Sequence, residues 1–327
     1  MGFKTMRVNL VVEDMGPFKY LSCATAAKNL YNALRGEIEV GWNDKSLDYD
    51  IVHFHTFGPI SLWYKKRSRG KKIITAHSTP RLNYGNLAAP SLVNWLYRPI
   101  YKSFDHVIAV SEKCKKELEK ELGLKKVSVI YNGIDVKRFS PDKEKGKRFR
   151  EIFKIADDEL LVLTIAQITP RKGVYDFLDV ARRFPGFRFV WVGGFPYGPF
   201  SKDYFKIKKL ISMKSKNCIF TGFVPDIVGA YSAADVFFMP SYAEGHSIVM
   251  LEALAMGLPI LARDLEEFRE EFGNNLIYFK DKEDVKEEMF DRKLLEEYKK
   301  KTKVVKKFDI ERVANEHVKL YEKLLKS

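Results

Sequence analysis

The stretch Met239–Ala262 reads MPSYAEGHSIVMLEALAMGLPILA and decides how the rest of the chain is interpreted. The apolar residues that lead into it predict a buried strand, which Pro240 ends because proline cannot donate a hydrogen bond within a sheet. A turn follows, and Ser247 is placed to cap an apolar helix. The Gly-Leu-Pro sequence at 257–259 stops that helix before a second apolar strand. A strand end, a turn and a helix start in one compact segment indicate a ligand site.

The helix start in this stretch predicts an anion-binding site. Its uncapped backbone N–H groups and the partial positive charge of the helix terminus suit a phosphate, and Gly245 lets a ligand approach the backbone closely. Two carboxylates flank this anion-binding site: Glu244 lies in the turn and Glu252 lies inside the helix. Helical side chains lean toward the N-terminus, so Glu252 can reach back over the first turn. We expect one phosphate site with two acceptors for hydroxyl groups.

Each glutamate also has an ordinary interpretation. Glu244 could be a solvated turn residue and Glu252 a surface residue of its helix, which is where most glutamates lie. Glu252, however, interrupts a run that is otherwise apolar on all sides. Such a helix is buried, and a carboxylate within it needs polar partners. We therefore favour a functional role for both residues, most strongly for Glu252.

The same stretch resembles the Glu-x7-Glu motif of retaining GT-B glycosyltransferases, in glycosyltransferase family four (glycosyl transferases group 1). The usual form of the motif is P-S-x-x-E-G-x-x-x-x-x-x-E-A-x-A-x-G-x-P. The matching residues are Pro240, Ser241, Glu244, Gly245, Glu252, Ala253, Ala255, Gly257 and Pro259. Residues 127–141 likewise resemble the family segment V-x-V-I-x-N-G-V-D-x-x-x-F-x-P, which closes the first domain. So many matched spacings make the resemblance specific.

The resemblance implies an α/β architecture with two Rossmann-like, doubly wound domains that face each other across a cleft. Residues 1–140 would form the acceptor-side domain, 141–305 the nucleotide-sugar-binding domain, and 306–327 a helix that crosses back to the first domain. A chain of 327 residues exceeds one typical core, which also favours two domains. Within the first domain, the Asn-Gly pair at 132–133 predicts a tight turn with a positive φ.

The loop at 169–173 matches the family's diphosphate-binding loop in part. In the family form G-R-x-x-x-x-K-G, the Arg and the Lys grip the diphosphate of the donor, and Lys172 stands at the Lys position. The Gly and Arg positions hold Ala166 and Gln167. Arg171 could replace the missing cation or be a solvated charge. A Gly-Gly pair that approaches the donor phosphates near the family's first strand is reduced here to Gly16.

Other site residues follow from the same resemblance. It assigns Glu252 to the ribose hydroxyls and Glu244 to the transferred hexose. His77, at the end of the strand predicted at 71–76, would face both the donor sugar and the acceptor, although a strand-end histidine is as often simply hydrogen-bonded. Phe223 and Val224 would wall the nucleobase, with core packing as the alternative. The expected catalytic residues are Glu244, His77 and Lys172, and the expected donor-binding residues are Glu252, Gly245, His246, Ser247, Ile248, Val249, Arg171, Gly16, Phe223 and Val224.

The implied reaction moves a hexose from a UDP- or GDP-sugar to an acceptor hydroxyl, with retention at the anomeric carbon and without a metal or further cofactor. Lys172 and the helix amides would stabilise charge on the leaving diphosphate. No residue is a clear base, which suits internal return, in which the departing phosphate takes the acceptor proton. Two alternatives remain. A glycosidase could use Glu244 and Glu252 as acid and base, and Gln167 raises the possibility of a sugar-nucleotide-binding protein without catalysis.

Composition restricts the setting of the reaction. Cys23, Cys114 and Cys218 are scattered, without metal spacing or an even count for a disulfide framework, so we expect a reducing cytoplasm. His53 and His55 share one face of a strand and could ligate a metal, but no third ligand follows nearby. No apolar run reaches the ~20 residues of a membrane span. We therefore expect a cytoplasmic enzyme.

The net charge of +14 is unevenly placed. Residues 1–140 hold 23 Lys and Arg against 13 Asp and Glu, whereas residues 141–327 hold 34 against 30. Cations cluster at 65–72 and 113–116, and the aromatic run Leu92–Tyr101 lies between them. We expect peripheral contact with an anionic inner-membrane surface, a lipid-linked or cell-envelope glycan as acceptor, and no nucleic acid. The alternative is that the aromatic residues are core and the lysines merely solvate the surface.

Overall fold

A computed structural model describes residues 6–15, 22–86, 88 and 90–327, and it contains two six-stranded parallel sheets. The first sheet consists of β1 (Arg7–Val11), β2 (Glu39–Trp42), β3 (Ile51–Phe54), β4 (Lys71–Ala76), β5 (His106–Ala109) and β6 (Val127–Val129). The second consists of β7 (Leu161–Ile165), β8 (Arg188–Val192), β9 (Cys218–Gly222), β10 (Val236–Met239), β11 (Ile260–Arg263) and β12 (Ile277–Phe279). Their spatial orders are β2-β1-β3-β4-β5-β6 and β12-β11-β10-β7-β8-β9.

Helices connect the strands and cover both sheets. Those of the first half are α1 (Ser22–Leu34), α2 (Pro59–Arg67), α3 (Pro80–Asn83), α4 (Pro90–Lys102) and α5 (Glu112–Leu122). Those of the second half are α6 (Lys143–Phe153), α7 (Val174–Arg183), α8 (Tyr204–Ser212), α9 (Ile227–Ala233), α10 (Ile248–Ala255), α11 (Glu266–Phe272), α12 (Arg292–Lys301) and α13 (Ile310–Lys326). Short 3₁₀ turns cover Pro170–Lys172, Gly198–Phe200, Lys282–Asp284, Glu287–Phe290 and Thr302–Phe308.

Each sheet is doubly wound, as the resemblance predicts. Strands such as β3, β7 and β10 are buried on both faces, because helices cover both sides of a parallel sheet. In the second sheet the chain runs outward from β7 to β9 and then returns to place β10 on the other side of β7. The strand order therefore reverses between β7 and β10, and ligands bind at the carboxyl ends of strands at such a point. The loops that follow these two strands carry the expected site.

The connections between the two halves pass side by side. The backbone N–H of Ile134 donates to Phe308 at 3.0 Å, and the N–H of Ile310 donates back to Ile134 at 3.0 Å. The limits proposed at 140/141 and 305/306 remain predictions, whereas the return of the last helix to the first domain is confirmed. Helix α13 packs against α1 and joins the hydrophobic core on that face of the first sheet.

Two expectations about the first domain are wrong. Neither Asn132 nor Gly133 has a positive φ. The glycine is needed because a Cβ there would lie 3.0 Å from the Cα of Ile310, where α13 begins. Tyr97 and Tyr101 of α4 are buried rather than presented to a headgroup layer, because they pack against Phe57.

We expect the Tyr321→Phe substitution to lower the free energy of unfolding by about 1–3 kcal/mol. Tyr321 is fully buried, and its hydroxyl lies 2.7 Å from Nδ1 of His53. Its removal leaves a buried imidazole nitrogen without that partner. Denaturant melts measure the effect, with Tyr84→Phe as the control because the Tyr84 side chain is 54% exposed. Equal losses in the two variants would contradict this account of how α13 is held.

Candidate active site

A cavity of about 260 Å³ lies between the two halves, at the carboxyl ends of β7 and β10. All the residues that the sequence assigned to the site line it, with one exception. Gly16 lies outside the described residues. The lining residues expected from sequence are His77, Arg171, Lys172, Phe223, Val224, Glu244, Gly245, His246, Ser247, Ile248, Val249 and Glu252. The structure therefore brings together residues from four separate segments of the chain.

Gly173 allows the loop after β7 to meet the loop after β10. Its φ is +77°, and a Cβ there would stand 2.3 Å from the carbonyl oxygen of Pro240. Only glycine combines this left-handed conformation with such close approach. The two loops are consequently in backbone contact, and Tyr242 N–H also donates to the carbonyl of Arg171 at 2.8 Å. This contact places Lys172 beside Glu244.

Glu244 is buried, and its carboxylate forms ion pairs with two cationic side chains. Nζ of Lys172 donates to its Oε1 at 2.6 Å, and Nη1 of Arg171 lies 3.4 Å from Oε2. Burial opposes ionisation, but Lys172 and Arg171 outweigh it and lower the pKa of Glu244. Burial lowers the pKa of Lys172 to about 8, although Glu244 favours the charged ammonium. The carboxylate is therefore ionised, and its burial excludes the solvated-turn interpretation.

Arg171 is also bound to the first domain. Its Nε donates to Oδ1 of Asn86 at 2.8 Å, and its backbone N–H donates to the carbonyl of Gly85 at 3.2 Å. A Cβ on Gly85 would lie 2.5 Å from Cβ of Arg171. The side chain is thus a partly buried link across the cleft, and the interpretation as a solvated charge does not hold. Asn86 and Gly85 were not identified from sequence, where nothing marks their loop.

Glu252 is buried inside α10 and points into the same cavity. Its Oε2 accepts a hydrogen bond of 2.8 Å from the hydroxyl of Tyr231 on α9. Burial raises the pKa of Glu252 to about 7, and the Tyr231 hydrogen bond opposes the shift only in part. A surface location is excluded. The carboxylate has capacity for further hydroxyl donors, which a ligand can supply.

The start of α10 faces the cavity as expected, but Ser247 does not cap it with its side chain. Ser247 occupies the N-cap position without a side-chain cap hydrogen bond, and its buried hydroxyl oxygen has no hydrogen-bond partner among the described residues. The first backbone N–H groups of any helix lack intrahelical partners. The hydroxyl and these amides therefore remain available to an anion that enters the cavity.

The two residues before Ser247 contact the first domain. A Cβ on Gly245 would lie 3.3 Å from Cγ2 of Val110 and 3.5 Å from the carbonyl oxygen of His77. The imidazole Nδ1 of His246 accepts from the backbone N–H of Asn132 at 3.1 Å. The glycine thus admits a close approach between domains, in addition to its expected exposure to a ligand. Asn132 was not assigned to the site from sequence.

His77 stands where this cavity meets a second one. The second cavity, of about 460 Å³, shares Ser22, His77, Leu82, Gln167 and Arg171 with the first. Nε2 of His77 lies 3.0 Å from Nδ1 of His55. Burial lowers the pKa of His77 to about 3, so its imidazole is neutral near pH 7.

His53 and His55 are accounted for by these protein contacts. His53 lies between Tyr321 and Thr75, with 2.7 Å to each hydroxyl, and His55 supports His77. Across the described residues, no three His, Cys, Asp or Glu side chains are grouped so that they could hold a metal ion.

Further contacts hold the loop that carries Tyr242 and Glu244. Asp176 binds the guanidinium of Arg263 and accepts from the hydroxyl of Tyr242 at 2.9 Å. On the other side, the backbone N–H of Glu244 donates to Oε1 of Glu267 at 2.9 Å. These partners lie 23 to 87 positions apart along the chain, so no local sequence pattern could have identified them.

Gln167 occupies the expected arginine position and lines both cavities. Its Oε1 is buried and has no hydrogen-bond partner within the part of the chain that the structure describes. Phe223 and Val224 line the first cavity, and Phe223 is 47% exposed. Core packing therefore does not explain Phe223.

Comparison with known proteins agrees with this geometry. The family model for Glycosyltransferase Family 4 matches residues 17–138, and the model for Glycosyl transferases group 1 matches residues 146–308. Among curated relatives, the alpha-galactosylglucosyldiacylglycerol synthase of Streptococcus pneumoniae is 28% identical over 310 residues, covering 90% of this chain and 82% of that protein. The processive diacylglycerol alpha-glucosyltransferase of Acholeplasma laidlawii is 32% identical over 225 residues, covering 66% of each protein.

Solved structures show the same architecture. The crystal structure of Anabaena HepE in complex with UDP and glucose superposes with a TM-score of 0.78 at 16% identity, covering 97% of this chain and 100% of that one. At this identity the likeness establishes the fold, while the two family models establish the kinship. The chain therefore belongs to the GT-B glycosyltransferases, with a Glycosyltransferase Family 4 domain followed by a Glycosyl transferases group 1 domain.

Proposed function

We propose that the protein transfers a hexose from a UDP- or GDP-sugar to a hydroxyl of a lipid-linked or cell-envelope glycan, with retention at the anomeric carbon and without a metal. The observation that carries the proposal is the meeting of two cavities at His77. The first cavity contains an anion-binding site with two buried carboxylates, and the second cavity is large enough for a second substrate. A donor sugar in the first would therefore reach an acceptor hydroxyl in the second.

In this proposal the first cavity binds the donor. The amides at the start of α10 and the ammonium of Lys172 bind the diphosphate, and the carboxylate of Glu252 accepts hydrogen bonds from the ribose hydroxyls. Phe223 and Val224 flank the base. Glu244 binds the hexose, and its ion pair with Lys172 keeps sugar and phosphate contacts in fixed relation. Arg171 keeps its hydrogen bond to Asn86 and orients Glu244 through the ion pair between them.

The bond between the anomeric carbon and the diphosphate oxygen breaks, and the bond to the acceptor oxygen forms on the same face of the sugar. The acceptor proton passes to the departing phosphate oxygen. Lys172 and the α10 amides stabilise the charge that develops there, which is where preorganised electrostatics contribute most. The neutral imidazole of His77 uses Nε2 toward His55, which leaves Nδ1 for a substrate hydroxyl.

The second cavity suits an acceptor with apolar parts. Aromatic rings of Phe57, Tyr97, Tyr101 and Tyr197 line it. Of the two curated relatives described above, one is named as a synthase of a glycosylated diacylglycerol and the other as a diacylglycerol glucosyltransferase, which supports a lipid acceptor. A third relative, from Campylobacter jejuni, is named as acting on a diphospho-undecaprenol.

A membrane-bound acceptor would be met at the surface of the bilayer. In the described part of the chain, every helix is too short or too polar to span one. Helix α2 presents exposed Leu62 and Trp63 next to the basic residues 65–67, and α4 presents exposed Leu92 and Trp95. We propose a cytoplasmic protein that binds the inner membrane peripherally through these helices of the first domain.

A donor-binding protein without catalysis is the second candidate, because Gln167 replaces a cation of the family motif. Hydrolysis of UDP- and GDP-sugars is measured alone and with diacylglycerol, glycosyldiacylglycerol and polyprenyl-diphosphate-sugar acceptors. Transfer to any of them, with an α-linked product from an α-linked donor, supports the transferase. Donor binding without turnover across this panel would favour the alternative.

The Lys172→Ala variant should bind the nucleoside diphosphate about tenfold or more weakly, because a charge-assisted hydrogen bond is lost and Glu244 is left to repel the phosphates. Affinity for the nucleoside alone should change little. Calorimetry with UDP and uridine, or GDP and guanosine, measures both. The exposed Lys214→Ala is the control. Unchanged affinity for the diphosphate would remove Lys172 from the site.

Glu252→Gln and Glu244→Gln should behave differently. The first should raise the Kd of the free nucleotide, because an amide accepts hydroxyl donors less strongly than a carboxylate. The second should leave that Kd almost unchanged and lower kcat about tenfold or more, the pattern of an interaction made mainly in the transition state. If both variants lose nucleotide equally, the division of roles is wrong.

Donor binding should depend on pH in a bell shape with its maximum between about pH 7 and about pH 8. Below about 7, Glu252 is protonated in the donor-free protein and loses acceptor capacity, and above about 8 Lys172 loses its charge. UDP-glucose is the ligand because its diphosphate has no proton to release in this range. Glu252→Gln should abolish the acid limb alone. A flat profile in the parent would contradict both assignments.

A further inference from the structure

The second domain has its own concentration of positive charge. Residues 198–216, here called the basic segment, contain six lysines and a single carboxylate, Asp203. That carboxylate accepts a hydrogen bond of 2.7 Å from the hydroxyl of Tyr175. Because the whole of residues 141–327 has only four more cations than anions, the rest of this half is close to neutral. Residues 299–307 hold six further lysines, but Lys299 and Lys301 there are paired with Glu296 and Glu297.

Large apolar side chains project from the same segment. Phe200 is 78% exposed, Phe205 is 74% exposed and Met213 is 71% exposed. Positions 205 and 209 of α8 and the C-cap position 213 follow a spacing of four, so Lys209 stands between the two apolar side chains. The opposite face buries Ile207 in the domain core. Exposed aromatic rings separated by lysines are typical of a helix that lies in a lipid headgroup layer.

The basic segment touches the first domain beside the second cavity. The N–H of Ala88 donates to the carbonyl of Phe200 at 3.2 Å, and the N–H of Lys202 donates to the carbonyl of Asn86 at 3.0 Å. Helix α4 begins two residues after Ala88, and its Trp95 is 70% exposed. Tyr197, just before the segment, lines the second cavity together with α4. Exposed apolar groups of both domains therefore lie next to one cavity.

We propose that the basic segment is a second membrane-contact surface, which binds an anionic phospholipid bilayer together with α4 and holds the second cavity against the bilayer. This inference rests on the lipid acceptor of the proposed function. Ammonium groups meet lipid phosphates, and the rings of Phe200 and Phe205 enter the boundary of the acyl chains. Because the two surfaces belong to different domains, which are joined by the backbone contacts of Asn86 and Ala88 with Lys202 and Phe200, one planar bilayer that contacts both also favours the closed cleft.

The test is cosedimentation of the full chain with vesicles of phosphatidylcholine alone, or of phosphatidylcholine and phosphatidylglycerol in equal parts, at low and high salt. The combined variant Lys206→Ser, Lys208→Ser, Lys209→Ser should bind the anionic vesicles about 100-fold more weakly. Phe205→Ser should bind them about tenfold more weakly. Matched controls are Lys293→Ser, Lys300→Ser, Lys303→Ser near α12, and Ile152→Ser on α6, which is 63% exposed. The controls should lose less than threefold.

Several outcomes would overturn the inference. It is wrong if the lysine variant of the basic segment binds as the parent does, if the α12 variant loses as much, or if binding is equal on neutral vesicles. Affinity for UDP-glucose should be unchanged in every variant, which shows that the fold and donor site are intact. If the parent fails to bind any nucleotide sugar, the proposed function fails on that measurement, whereas the vesicle results judge the membrane surface separately.

Discussion

The buried ion pair between Lys172 and Glu244 is the interaction on which the site depends. It joins the loop after β7 to the loop after β10, at the position where the second sheet reverses its strand order. Taking both charges out of water is costly, and only good geometry and further partners offset that cost. Arg171 supplies such a partner to the carboxylate, and Gly173 permits the approach of the two backbones. Both loops are thus positioned before a ligand binds.

The same cavity contains Glu252, whose ionised form is disfavoured because the residue is buried. The pKa of Glu252 in the folded protein is about 7, above its ordinary value of 4.5, because it is buried. Its protonation stabilises the folded state, and this stabilisation is lost as the pH rises from 4.5 through about 7. A ligand that donates hydroxyl groups would recover part of the loss. Such an exchange of stability for binding is expected at functional sites.

The two domains meet through charged side chains as well as through their crossovers. Glu267, whose carboxylate holds the backbone of Glu244, also binds Arg81 and Lys113 of the first domain. Its neighbour Glu270 accepts hydrogen bonds from the first two N–H groups of α5. The position of the loop that carries Glu244 is therefore linked to the contact between the two domains. A change in the relative position of the two domains would therefore displace Glu244.

The sequence by itself determined the α/β class, the two doubly wound domains, and 12 of the 23 residues that line the first cavity. It could do so because strands, helix starts and the Glu-x7-Glu spacing are local patterns, in which residues a few positions apart have fixed relative directions. Strands β2 and β12 were not anticipated, since Glu39–Trp42 and Ile277–Phe279 are too short for a clear period.

Only the tertiary structure decided how these residues act together. It showed that Ser247 leaves its hydroxyl to the cavity, that Arg171 binds Asn86 across the cleft, and that Gly133 serves close packing rather than a turn. The partners in these contacts are far apart in the chain, and burial sets the pKa of Glu252 and Lys172 through the whole surrounding fold. Local patterns specify which residues approach a site. Long-range packing specifies their partners and their charge, because both depend on what excludes water around them.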